Sequence, residues 1–173
     1  MASLSVGIDP GAQGAIVLLK DGEPTFWPMP VVEHRTSRGK KRPRTDGGGL
    51  CVVMHMLRNA GVRTAHIEDV WGIKGQAAGG AATLGYAMGC IETACAAAGI
   101  EVVKVSAVRW KYDCGVLKKG KAGAVDAARK NFGALPLFAP KRGERTTAQC
   151  EGFAEAALIA RWASVYGRAH AGA

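Results

Sequence analysis

Leu4 to Ile8 is a short apolar run that ends in Asp9-Pro10-Gly11, a turn signal, and Gly14 to Leu19 is a second run ending at Asp21-Gly22. Two hairpin strands are expected. Thr25 to Trp27 adds a third, short strand, and Pro24, Pro28 and Pro30 around it remove ladder donors and confine it to a sheet edge. After Asp46 and three glycines the period changes, with Leu50, Val53, Met54 and Leu57 at helical spacing up to Gly61. Val62 to Glu68 reads as strand, Gln76 to Ala98 as a long helix closed by Gly99, and Ile100 to Val105 as strand again. Ala122 to Phe132 and Gln149 to Tyr166 read as helices, the last with Phe153, Ala157, Ile159 and Ala160 as apolar positions. This order predicts one α/β domain over 1–173, a mixed sheet opened by a hairpin, completed by right-handed parallel crossovers and flanked by helices.

Two stretches depart from ordinary patterning. His34 to Arg44 is basic and almost without apolar residues, so nothing in it drives packing, and a mobile loop spanning about 33–46 is expected. The long helix carries Gly79, Gly80, Gly85 and Gly89, each costing roughly 1 kcal/mol against Ala, so close packing must compensate. Ala81, Gly85 and Gly89 share one smooth face, suited to the sheet beneath it or to the same helix of a second subunit.

Charge narrows the partners. The chain has 23 Lys and Arg against 14 Asp and Glu in 173 residues, a net charge of +9, which favours a polyanion through counterion release. The excess is clustered: Arg35, Arg38, Lys40, Lys41, Arg42 and Arg44 form one group, and Lys111, Lys118, Lys119 and Lys121 another. Nucleic acid is the expected partner. No apolar run reaches the ~18 residues of a membrane helix, and no secretory signal is legible at the start, so a cytoplasmic protein is expected. Five scattered cysteines and four histidines show neither C-x-x-C nor H-E-x-x-H spacing, so reduced thiols and no zinc site are expected.

The carboxylates carry the candidate chemistry. Asp9 ends an apolar strand and is followed at once by a tight turn that lifts its side chain out of the core. Glu68 holds the same position on His66-Ile67-Glu68, and if the two strands are neighbours their carboxylates lie about 5 Å apart. On the last helix Glu151 and Glu155, four residues apart, share a face and can complete a cation site. Two magnesium ions held by such hard oxygen ligands, with manganese as a substitute, suit phosphodiester hydrolysis.

With these residues in view, the sequence resembles the RuvC family of junction-resolving endonucleases, in particular its short phage members. The opening GIDPG with its following strand resembles the family's first catalytic strand, and IEDVWGIKGQAAGGAATLGYAMG its second acidic strand, aromatic loop and Gly/Ala-rich helix. The resemblance implies an RNase H-like fold, with Asp9 and Glu68 as metal ligands and Trp71 as an aromatic wedge stacking on junction bases. It places Lys111 and Lys121 near the scissile phosphate with Lys118 and Lys119 alongside, and Lys74, Arg38, Lys40, Lys41 and Arg42 are counted with them as DNA contacts. The AEAALIA stretch resembles the final helix, whose usual two Asp, three residues apart, are replaced here by Glu151 and Glu155. Glu155 is the better-aligned of the two and Glu151 the weaker, and which of them ligates metal stays open. A homodimer cutting four-way DNA junctions with paired nicks is implied, with helix 76–98 as a candidate interface.

Two rivals remain at this point. ATPases of the actin and sugar-kinase type also open with a strand and a phosphate turn, but they need two such domains, which 173 residues cannot house. A nuclease for other branched DNA or RNA–DNA hybrids, or a non-catalytic DNA-binding module, fits the same residues.

Overall fold

The computed structural model describes residues 3–36, 39–70 and 77–167. Its main sheet has five strands. Strands β1 (Leu4–Asp9), β2 (Ala15–Lys20) and β3 (Glu23–Pro28) form an antiparallel meander, with β3 at the edge where its prolines confine it. On the other side of β1, strands β6 (Thr64–Asp69) and β7 (Glu101–Ser106) run parallel to it and to each other.

Side-chain alternation sorts this sheet into two cores. Val6, Ile8, Ile16, Leu18, Ala65 and Ile67 face one way, against helices α1 (Gly47–Asn59) and α2 (Ala78–Ala98). Leu50, Val53, Met54 and Leu57 of α1 are all buried there, as their spacing predicts, and Asp46 caps the helix by accepting from Gly48 N at 3.0 Å. The opposite face is covered by α4 (Gly120–Phe132) and α5 (Thr147–Tyr166), with a short helix α3 (Ala107–Asp113) after β7 and a 3-10 turn at Pro136–Phe138. The sequence reading did not find α3.

Helix α5 is buried nearly all round, from Gly152 to Ala160, and lies directly across β1 and β2. Small residues permit this approach. A Cβ on Gly7 of β1 would collide with the backbone of Ala156 and Ala160, and one on Gly152 would collide with the Gln13 carbonyl. The first turn of α5 is fixed by a capping box between Thr146 and Gln149, and the Thr146 hydroxyl donates to Gln13 Oε1 at 3.1 Å. Helix and β1–β2 turn are therefore tied together.

Two expectations need correction. The basic segment is not a loop: β4 (Val31–Arg35) and β5 (Lys41–Thr45) pair antiparallel as a separate two-stranded ribbon. A ladder satisfies backbone polar groups without burying side chains, so low apolar content did not preclude it. Thr36 also closes the turn, its carbonyl accepting from Gly39 N at 2.8 Å, with Gly39 at φ +74°. The second correction concerns α2, which faces the core with Ala87, Met88, Ile91, Ala94 and Cys95. Its glycine face points outward, and a Cβ on Gly79, Gly85 or Gly89 would meet nothing within 4 Å among the described residues. The sheet is thus not what that face packs against. All five cysteines are free, and among the described residues no helix is long and apolar enough to cross a membrane.

Candidate metal centre

The parallel register of β1 and β6 sets Gly7 beside His66 and Ile8 beside Ile67, and one step further it sets Asp9 beside Glu68. With a period of two, Gly7 and Asp9 point to the α5 side, as do His66 and Glu68. There α5 presents Glu155, one residue before the Ala156 carbonyl that crowds Gly7. Asp9, Glu68 and Glu155 converge so that one ligand oxygen from each lies within 4.8 Å of the others. Glu68 and Glu155 are only 6% and 8% exposed, which is unusual for carboxylates and demands compensation.

Part of it comes from α3. Trp110, fully buried, donates its Nε1–H to Glu68 Oε1 at 3.3 Å, and the next residue, Lys111, sets its Nζ 3.3 Å from Glu68 Oε1 and 3.3 Å from Glu155 Oε1. Lys121 adds a second ammonium that acts on Asp9 and Glu155, but it is itself ion-paired with Glu151, so the three carboxylates remain short of positive charge. Burial pushes Asp9 well above the ordinary aspartate range, and the neighbouring Glu155 and Glu68 push it further. Glu68 is raised chiefly by burial, with Lys111 opposing. Burial works to lower Lys111, but Glu68 and Glu155 outweigh it and hold the ammonium above its usual value. An all-oxygen donor set crowded with its own charge fits a hard divalent cation such as magnesium.

The remaining predicted residues divide into those at the centre and those away from it. Glu151, one turn before Glu155, stands outside the three-carboxylate cluster and pairs with Lys121, Nζ to Oε2 at 3.1 Å. The resemblance ranks Glu155 above Glu151, and the fold buries Glu155 beside Asp9 and leaves Glu151 half-buried against the cleft-lining Lys121. Lys118 and Lys121 line, with Lys111, Glu68 and Glu155, an open cleft of about 510 Å³ over the centre. Lys118 has φ +64°, a left-handed backbone that favours glycine, and Lys119 is exposed at the start of α4. Lys40, Lys41 and Arg42 are on the exposed ribbon, away from this cleft's lining. Trp71, Lys74 and Arg38 lie outside the described residues.

Trp110 is the residue at this centre that sequence reasoning missed. Its signal was faint: an aromatic next to a lysine just past a strand end. Asp113, at the end of α3, accepts from Trp162 Nε1 at 2.8 Å and from Arg109 Nε at 2.7 Å, which locks α3 to α5 and so keeps Trp110 and Lys111 aimed at the carboxylates.

No protein-family model matches the chain, and no curated protein matches it. Solved structures do. The chain is similar to Thermus thermophilus RuvC in complex with a Holliday junction substrate, with a TM-score of 0.61 and 15% identity over 96% of each chain. It is also similar to a further Thermus thermophilus RuvC structure, with a TM-score of 0.55 and 17% identity over 96% of each chain. The fold is therefore the RNase H-like fold of RuvC, as the sequence reading expected.

Proposed function

We propose that this chain is a magnesium-dependent endonuclease, one 173-residue domain, that resolves four-way DNA junctions by paired phosphodiester hydrolysis. The observation that carries the reading is the convergence of Asp9, Glu68 and Glu155 within 4.8 Å beneath a lysine-lined cleft. The RNase H-like fold supports it, and so does the Holliday junction bound by the RuvC of similar structure.

Asp9, Glu68 and Glu155 would hold the metal, with Glu151, one turn before Glu155, available for a second ion. Bound there, divalent ions supply Lewis acidity and lower the pKa of a coordinated water. The chain's own residues do the rest. Trp110 fixes the Glu68 carboxylate, so one oxygen stays turned inward. Lys111 holds Glu68 and Glu155 together while the centre is metal-free. Lys121, released from Glu151, and Lys118 would neutralise the phosphate in the cleft, with Lys119, Lys74 and the basic ribbon contacting the flanking backbone. Trp71 would stack on bases at the junction centre, worth about 1–3 kcal/mol per base. Paired nicks need two centres, and a second copy seated on the outward small-residue face of α2 would supply the other.

The test compares a labelled four-way junction, a duplex and an RNA–DNA hybrid in magnesium, for the wild type and for Asp9→Asn. Paired nicks confined to the junction, lost in the variant while binding survives, are expected. Equal cutting of all three substrates overturns the junction preference, and persistent cutting by Asp9→Asn overturns the metal centre.

A further inference from the structure

Of the net charge of +9, a share of +5 lies in the fifteen residues from Val31 to Thr45, where six cations stand against the single acid Glu33. Glu33 pairs with Lys41 at 2.8 Å, and Arg35, Lys40 and Arg42 have no ion-pair partner among the described residues. Every residue of β4 is exposed, as are Lys41, Arg42 and Pro43 of β5. Beyond the Glu33–Lys41 pair and the Arg44 contact at its root, the charge of this segment faces solvent among the described residues.

Its root is fixed. The Asp46 N–H donates to the Pro30 carbonyl at 2.8 Å, Thr45 is buried, and the Arg44 guanidinium lies over the Tyr86 ring of α2, 4.8 Å from its centroid. The root also has a definite place. Asp9 pairs with Ala15, Ala15 with Pro28, and the next residue, Met29, donates to the Gly14 carbonyl at 3.0 Å. The ribbon therefore leaves the sheet at the same end as the carboxylates, two strand spacings or about 10 Å from Asp9. Five residues per strand give it a reach of about 17 Å.

Pairing sorts its faces. Val32 opposite Arg44 and His34 opposite Arg42 share a face that bears no acid, and Glu33 opposite Pro43 belongs to the other. A major groove about 12 Å wide admits a two-stranded ribbon, and the groove walls are phosphates. We propose that the β4–β5 ribbon is a duplex grip that lies in the major groove of a DNA arm beside the carboxylate centre. This rests on the DNA-nuclease reading and adds where and how an arm is held. An RNA–DNA hybrid, whose A-like major groove is deep and narrow, does not accept it.

The test needs no cleavage. Binding of a long-armed junction is measured without metal across a salt series, for the wild type and for Arg35→Gln/Lys40→Gln/Arg42→Gln. The slope of log K against log salt is expected to fall by about two to three, with affinity about 100-fold lower near 0.1 M salt. The single variants give proportionate fractions, so the answer does not depend on the triple variant folding. Wild type also shields guanine N7 in the arm from methylation, the triple variant does not, and with arms trimmed below one helical turn, or on a hybrid, the two bind alike. An unchanged slope overturns the inference, and so does a reduced slope without N7 shielding. Normal cutting beside an unchanged slope sinks the ribbon and leaves the nuclease; a lost slope without any cutting by the wild type does the reverse.

Discussion

The carboxylate centre and the basic ribbon leave the same end of one sheet, yet they are built on opposite principles. At the centre, packing holds charges where they repel: α5 is wedged onto β1 through Gly7 and Gly152, and buried Glu68 and Glu155 have little room to move. On the ribbon, charges stand in water, spaced by a ladder and held only at the root. The first region has specificity because its geometry is over-determined; the second has reach because, beyond its root, only pairing constrains it. Loss of one group should therefore be close to all-or-none at the centre and graded on the ribbon.

The sharpest break is Glu68→Gln, which keeps shape and removes a ligand charge. Single-turnover cleavage should fall about 10³-fold, equivalent to several kcal/mol of transition-state stabilisation, with junction affinity nearly unchanged. Next, Trp110→Phe removes the Nε1 donor on Glu68 and should weaken divalent-metal affinity by about 10–100-fold, recovered at high metal concentration; a loss that metal does not rescue would assign Trp110 to the core alone. Gly7→Ala should cost about 1–3 kcal/mol by denaturant unfolding, because the collision is with helix backbone.

Metal-free stability gives a smaller effect with a definite sign. The Asp9 carboxyl is raised in the fold, chiefly by burial, so its contribution to stability is fully present below its unfolded value of 3.8 and is lost as pH rises through the folded value. At neutral pH the ionised group is a burden. Asp9→Asn should therefore raise the metal-free Tm by about 2–4 °C, and magnesium should raise the Tm of wild type but not of the variant. At the small end, Arg42→Gln on the ribbon should weaken junction binding roughly fivefold and lower the salt slope by about one, with no change in Tm. An all-or-none loss there would erase the contrast between the two regions.

Much of the main sheet was legible because strand and helix periods are local: the Asp9 turn, the edge position of Thr25–Trp27 and the buried stripe Leu50–Leu57 follow from neighbours in the chain. The ribbon was not, since its stability lies in ladder hydrogen bonds and a cation–π contact with Tyr86, and neither leaves an apolar pattern. Helix α3 was too short to show a period, and with it Trp110 was missed.

The sequence by itself determined that two acids end two strands, that a Glu pair shares one helix face, and that cations gather in two clusters. That Asp9, Glu68 and Glu155 actually meet was decided only in three dimensions. The resemblance of AEAALIA already ranks Glu155 above Glu151; the physical reason is the depth at which α5 seats on β1, and that depth is fixed by glycines at positions 7 and 152 meeting backbone far away in sequence. Local spacing fixes which side of a helix a residue occupies; only packing fixes how far along that helix the sheet's edge falls.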